Sequence, residues 1–206
     1  IINDLPLGKY YIKEKEANDY YRLSDEIIEF EIKEQEVTQV SMTNHKLTGS
    51  LELFKKGESS VYQDNHLSYI MKELENVSFN LYDEQNNLLA TLVTDEEGMI
   101  KYDNLPLGKY YVKEIKNQDT YIVDDEKYYF EIKKENNKVI NAKLEIENYL
   151  KKGNLEFTKL DYDTKVGIPN TIIEIYNSNN TLLFTKETNS NGKIIINDLP
   201  LGKYYI

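Results

Sequence analysis

Lys55, Glu114 and Asn148 are the residues whose types and placing point to chemistry. Each stands on the apolar face of a run with strand-like, period-two alternation. Leu51, Leu53 and Lys55 share one face, Tyr110, Val112 and Glu114 another, and Leu144, Ile146 and Asn148 a third. Burying a lone amine, carboxyl or amide is costly, so three of them on inward faces are expected to meet one another. Burial favours a neutral amine and a protonated carboxyl. A neutral lysine amine can attack the asparagine side-chain carbonyl, while the carboxyl polarises that carbonyl and passes a proton to the leaving ammonia. The product is a Lys–Asn isopeptide bond, formed once and without a cofactor. The alternative is that the three lie at strand ends, solvated and unreacted.

The elements that must position these groups recur along the chain. The run IINDLPLGKYYI at residues 1–12 returns unchanged at 195–206, and YDNLPLGKYYVKE spans Tyr102 to Glu114. GSLELFKK at Gly49 matches GNLEFTKL at Gly153, and FEIKEQE at Phe30 matches FEIKKEN at Phe130. Such self-similarity is the signature of tandem modules. It predicts a complete repeat over 47–149, the C-terminal half of a preceding repeat over 1–46, and the N-terminal half of a third over 150–206. The short polar links Asn44–Thr48 and Tyr149–Lys152 predict tightly strung neighbours.

Within the complete repeat, β-branched and aromatic runs such as Val77–Asp83 alternate with turn residues at Asp83–Asn87, Glu97-Gly98 and Pro106-Leu107-Gly108. About seven short strands in about 100 residues predict an all-β, two-sheet, immunoglobulin-like sandwich. Lys55 to Gly98 is ten residues longer than Lys159 to Gly192. The extra stretch, Gly57–Lys72, reads as an elongated loop, with Ser68–Leu74 compatible with a short helix. It is either decoration or a ligand-contacting loop.

Composition narrows the function. The 206 residues carry a net charge of -11, which repels phosphate backbones and argues against nucleic-acid binding. There is no cysteine, so no disulfide or Cys-based metal site is expected. No apolar run is long enough to span a membrane. His45 and His66 lie beside no nucleophile motif, and no phosphate-cradling glycine loop occurs. The acidic clusters at Asp95–Glu97 and Asp161–Asp163 read as turns, so no metal or cofactor is expected, nor an enzyme with an external substrate.

The Gly-x-Leu-x-Leu-x-Lys start, the Gly-Lys-Tyr-Tyr-Val-Lys-Glu strand and the Glu147-Asn148 end resemble the B-type repeat of Gram-positive collagen-binding adhesins and the shaft domains of pilins. The resemblance implies a transthyretin- or prealbumin-type variant of the sandwich. It also implies an autocatalytic bond between the first and last strands, with Lys55 as nucleophile, Glu114 as catalyst and Asn148 as acceptor. In the flanking halves Glu14 and Asn44 match Glu114 and Asn148, and Lys159 matches Lys55. The segment after Glu114 departs from the family pattern and keeps only Tyr121. The implied role is a stalk of an extracellular, cell-wall-anchored protein whose anchor lies elsewhere, with neighbouring repeats as partners. The competing reading is an adhesive module that binds a host extracellular-matrix protein or a glycan through exposed loops and outward tyrosines such as Tyr111.

Overall fold

A computed structural model describes residues 2–122 and 124–206. Ile1, the first residue of the repeated run and of the predicted first half-repeat, lies outside the described residues. The described chain is built of strands, with no helix among them.

The first strands, β1 (Gly8–Lys13) and β2 (Ile27–Ile32), pair antiparallel. Next come β3 (Thr48–Gln63), β4 (His66–Glu73), β5 (Ser78–Asp83), β6 (Leu88–Val93), β7 (Met99–Pro106), β8 (Gly108–Lys116), β9 (Lys127–Glu135), β10 (Lys138–Ile140) and β11 (Ala142–Asn148). They form two sheets. One has the order β10-β9-β8-β5-β6; the other has β11-β3-β4, with β7 also paired to β3. The chain continues through β12 (Lys152–Thr158), β13 (Ile172–Asn177), β14 (Leu182–Glu187), β15 (Lys193–Pro200) and β16 (Tyr204–Tyr205). Here β12 pairs with β15, and β13 lies between β14 and β16.

The alternation read from the sequence sets the layers. Leu51, Leu53, Ile100 and Ile146 project from one sheet onto Phe79, Leu81, Val112 and Ile132 of the other, and all are buried. This is the packing of a two-sheet sandwich, whose inner faces exclude water and whose outer faces stay polar. A second core gathers Ile175, Phe184, Ile194, Ile196 and Leu199 among the last strands.

The LPLGKYY motif is a corner. The hydroxyl of Tyr110 donates to the Pro106 carbonyl at 2.8 Å, and its ring stacks on Phe130 at 5.5 Å. The same hydroxyl-to-proline bond recurs from Tyr10 to Pro6 at 2.8 Å and from Tyr204 to Pro200 at 2.6 Å.

Two expectations need correction. Ser68–Leu74 is not helical: Ser68–Glu73 belongs to β4, which pairs with the far half of β3 as a hairpin. Tyr111 is not an open contact residue. It points away from the core but is only 5% exposed, because Tyr82 stacks on it at 4.8 Å and Tyr129 leans on it at 5.4 Å.

Candidate isopeptide site

Lys55 is held at its backbone before its side chain does anything. Its N–H donates to the Gly98 carbonyl at 2.7 Å, and its carbonyl accepts the Leu74 N–H at 3.0 Å. Gly98 has φ +68°, and a Cβ there would lie 2.5 Å from the Lys55 carbonyl oxygen, so a glycine is required. The Thr94 hydroxyl ties this turn to the core. It donates to the Leu74 carbonyl at 2.8 Å and accepts the Val77 N–H at 3.0 Å. The recurring Thr-Asp/Asn-x-x-Gly motif is therefore the clamp that fixes the lysine strand. It repeats at Lys159, Ile168, Thr188 and Gly192.

The first and last strands of the sandwich are neighbours. β11 runs parallel to β3, with Ile146 opposite Lys55 and Asn148 opposite Gly57. Both Lys55 and Asn148 project inward from this sheet, and Glu114 meets them from β8 in the facing sheet. The three are 1%, 2% and 6% exposed, respectively.

The Lys55 amine hydrogen-bonds to Asn148 Oδ1 and lies 3.2 Å from Glu114 Oε2. Asn148 Nδ2 donates to Glu114 Oε1 at 2.9 Å and to Oε2 at 3.0 Å. Burial pushes the Lys55 amine below its ordinary pKa, and the adjacent Glu114 carboxylate opposes that shift. Phe79, fully buried, is the register partner of Glu114 and lies 6.0 Å from the amine. The carboxyl therefore lies on the amide-nitrogen side of Asn148 and not on its carbonyl oxygen. That position suits delivery of a proton to departing ammonia.

The flanking copies hold parts of the same arrangement. Asn44 Nδ2 donates to Glu14 at 2.7 and 2.8 Å, the fork seen between Asn148 and Glu114. Glu14 and Asn44 are half-buried, and Glu14 also accepts the Ser24 N–H at 2.8 Å. Lys159 is exposed and carries the backbone clamp alone.

Sequence reasoning missed several residues that shape the site. Tyr121, the one residue kept from the family's segment, packs over Gly57 and donates its hydroxyl to the Glu58 carbonyl at 3.2 Å. Gly57 and Thr94 had a signal in the strand and turn patterns. Glu58 had none, since it precedes its partners Leu150 and Lys152 by about ninety residues. Among the described residues no cluster of His, Cys, Asp and Glu suits a metal ion. Asp95 and Asp161 spend their carboxylates on turn N–H groups. No described helix is long and apolar enough to cross a membrane.

The comparisons agree with this architecture. The family model of the SpaA prealbumin-like fold domain matches residues 1–46, 68–148 and 153–206. The Bacillus anthracis TIE protein is 32% identical over 97% of this chain, with a TM-score of 0.77, and the match covers 36% of that protein. This chain thus spans about a third of that relative's length. A streptococcal ancillary pilin is 22% identical over 98% of this chain and 66% of its own, with a TM-score of 0.37. GBS52, the minor pilin of Streptococcus agalactiae, is 24% identical over 72% of this chain and 63% of its own, with a TM-score of 0.39. No curated protein matches. The chain belongs to the family of SpaA prealbumin-like fold domains.

Proposed function

We propose that this chain is a load-bearing stalk segment of a Gram-positive cell-surface adhesin or pilin, and that its central sandwich is closed by an isopeptide bond between Lys55 and Asn148. In this reading residues 47–149 are one whole module, and 1–46 and 150–206 are parts of its neighbours. The observation that carries the proposal is the meeting of a buried amine, amide and carboxyl between the first and last strands.

The step balances within the chain. A proton passes from the lysine ammonium to the Glu114 carboxylate across their 3.2 Å contact, which turns a buried ion pair into a neutral one. The free amine attacks Asn148 Cγ, and the Nζ–Cγ bond forms. Glu114 gives its proton to Nδ2, the Cγ–Nδ2 bond breaks, and ammonia leaves. Glu114 then takes the spare proton from Nζ and ends protonated. Water exclusion keeps the amide from hydrolysis and the amine from staying charged.

Intact mass spectrometry of the 206-residue chain tests this. The expected mass is lower than the sequence mass by one ammonia, and Glu114→Ala restores it. A native chain at full sequence mass refutes the bond and leaves the family assignment untouched.

Matrix binding is the second reading. It needs a free contact loop, and its main candidate in the sequence, Gly57–Lys72, is engaged elsewhere in the molecule.

A further inference from the structure

The residues inserted between Lys55 and Leu74 form an arm. The far half of β3 and all of β4 pair from Lys56↔Glu73 to Gln63↔His66, and the turn is Asp64-Asn65, with φ of +50° and +61°. Two left-handed residues in a two-residue loop are the turn that suits strand twist. The sandwich does not require the arm. In the last group of strands the same place is a short turn, where Ile168 N–H bonds directly to the Lys159 carbonyl at 2.9 Å. The family match also leaves out 47–67, which hold the whole of the arm's first strand together with the core half of β3.

The arm lies on the strands that follow. Tyr62 and Leu67 pack into the second core, and the Tyr62 ring meets Phe184 edge-on at 5.6 Å. At the tip, the Asn65 side chain accepts the Thr185 N–H and donates to the Thr185 carbonyl, both at 2.7 Å. One amide thus satisfies both backbone groups of an edge residue, as a paired strand would. The Tyr69 hydroxyl donates to the Asp198 carbonyl. At the base, the buried carboxylate of Glu58 accepts the Leu150 N–H at 3.1 Å and the Lys152 amine at 2.8 Å, which pins the link itself.

The contacted margin is a true edge of the fold. In the complete sandwich β6 ends its sheet and β7 pairs only with β3. β14 and β15 hold the corresponding places. The strands that finish the complete sandwich, β9 to β11, join at the opposite margins, beside β8 and on the other side of β3. The arm therefore takes no position that belongs to a strand of the next module.

We propose that the β3–β4 arm is an intermodule splint. Its partner is the β14/β15 margin of the following sandwich, and it does two things there. It fixes the angle between consecutive modules, and it covers an edge that would otherwise be open to strand pairing by another chain. The arm is not a free ligand loop. The proposal stands whether or not Lys55 and Asn148 are bonded, because none of its contacts involves them.

Residual dipolar couplings on the whole chain test the fixed angle. One alignment tensor is expected to fit the amides of both 47–149 and 150–206. Replacing Tyr62 and Leu67 together by Ala is expected to give two diverging tensors. Amide exchange supplies a milder readout: Asn65→Gly keeps the turn but removes the cap, and exchange at Thr185 is expected to rise about tenfold. Exchange within the arm, at Ser60 and Ile70, should stay unchanged. Separate tensors in the native chain, or unaltered Thr185 exchange in Asn65→Gly, overturn the splint.

Discussion

Asn148 stands opposite Gly57 in the parallel β3–β11 ladder, two residues beyond Lys55 along β3. Because side chains alternate, Lys55 and Asn148 point to the same face as diagonal neighbours. Gly57 leaves room where a side chain would otherwise crowd Tyr121. The parallel sense also has a mechanical meaning. Tension that enters at Thr48 and leaves at Asn148 shears these two strands against each other. A bond between Lys55 and Asn148 carries that load past everything from 56 to 147.

Replacing Lys55 by Met and Glu114 by Gln together separates a covalent tie from a mere ion pair. If the pair is only electrostatic, an apolar and neutral replacement is expected to be neutral or stabilising by about 1–4 kcal/mol. If the bond exists, its loss opens a loop spanning a sequence separation of 93 and costs about 4–5 kcal/mol in the chain-entropy model. Denaturant unfolding of the two proteins reads the sign. The expected outcome is the large loss.

Gly57→Ala is expected to destabilise the module by about 1–3 kcal/mol through overpacking. The new Cβ would lie 2.7 Å from the Tyr121 hydroxyl and 2.9 Å from Leu74 Cδ2. Tyr121 must shift, and its bond to the Glu58 carbonyl goes with it. Thermal unfolding checks the loss, and a changed Tyr121 ring signal in NMR checks its cause. A second change, Tyr121→Phe, keeps the packing and is expected to cost less than Gly57→Ala.

What was legible in the sequence was local and periodic. The faces that bring Lys55, Glu114 and Asn148 inward follow from alternation, and the turn residues separate the strands that carry them. Ser68–Leu74 misled because Met71, Lys72, Glu73 and Leu74 favour helix. Ser68–Glu73 is a strand because it pairs with the far half of β3, and its Tyr69 hydroxyl bonds to the Asp198 carbonyl more than a hundred residues away. Tyr111 looked outward, and it does point outward. Its cover comes from Tyr82 and Tyr129 on strands either side, which no single-strand pattern reveals.

The unbonded module should show a pH dependence with a defined sign. Burial holds Lys55 below its ordinary 10.5, and Glu114 counteracts this. In Glu114→Ala no bond forms, the counteraction is gone, and the folded-state pKa falls further. Between that lowered value and 10.5 the unfolded chain binds more protons than the folded one, so stability rises with pH across this window. Below the folded-state pKa the dependence flattens. Tyrosines raised by burial, such as Tyr69 at about 12, act in the opposite direction near the top of the window. The comparison is therefore with Glu114→Ala/Lys55→Met, which shares those tyrosines. The expected result is a positive slope in the first protein relative to the second, from denaturant unfolding at neutral and at alkaline pH. Parallel profiles would show that Lys55 is not desolvated.

Thr94 links the fold to the chemistry without touching the reacting groups. Its buried hydroxyl serves the Leu74 carbonyl and the Val77 N–H, and the Leu74 N–H in turn holds the Lys55 carbonyl. Thr94→Val keeps the shape but leaves a carbonyl and an N–H unpaired in the core, at a cost of about 1–3 kcal/mol. Thr94→Ser retains the hydroxyl and is expected to cost less. The useful readout is the product mass followed over time in freshly synthesised chain from a cell-free reaction, which starts unbonded. If the clamp positions the lysine strand, Thr94→Val yields a mixture of bonded and unbonded masses at times when Thr94→Ser is fully bonded. Equal bonding in both would mean that the strand finds its place from β7 and β11 alone, and that Thr94 stabilises the turn without guiding the amine.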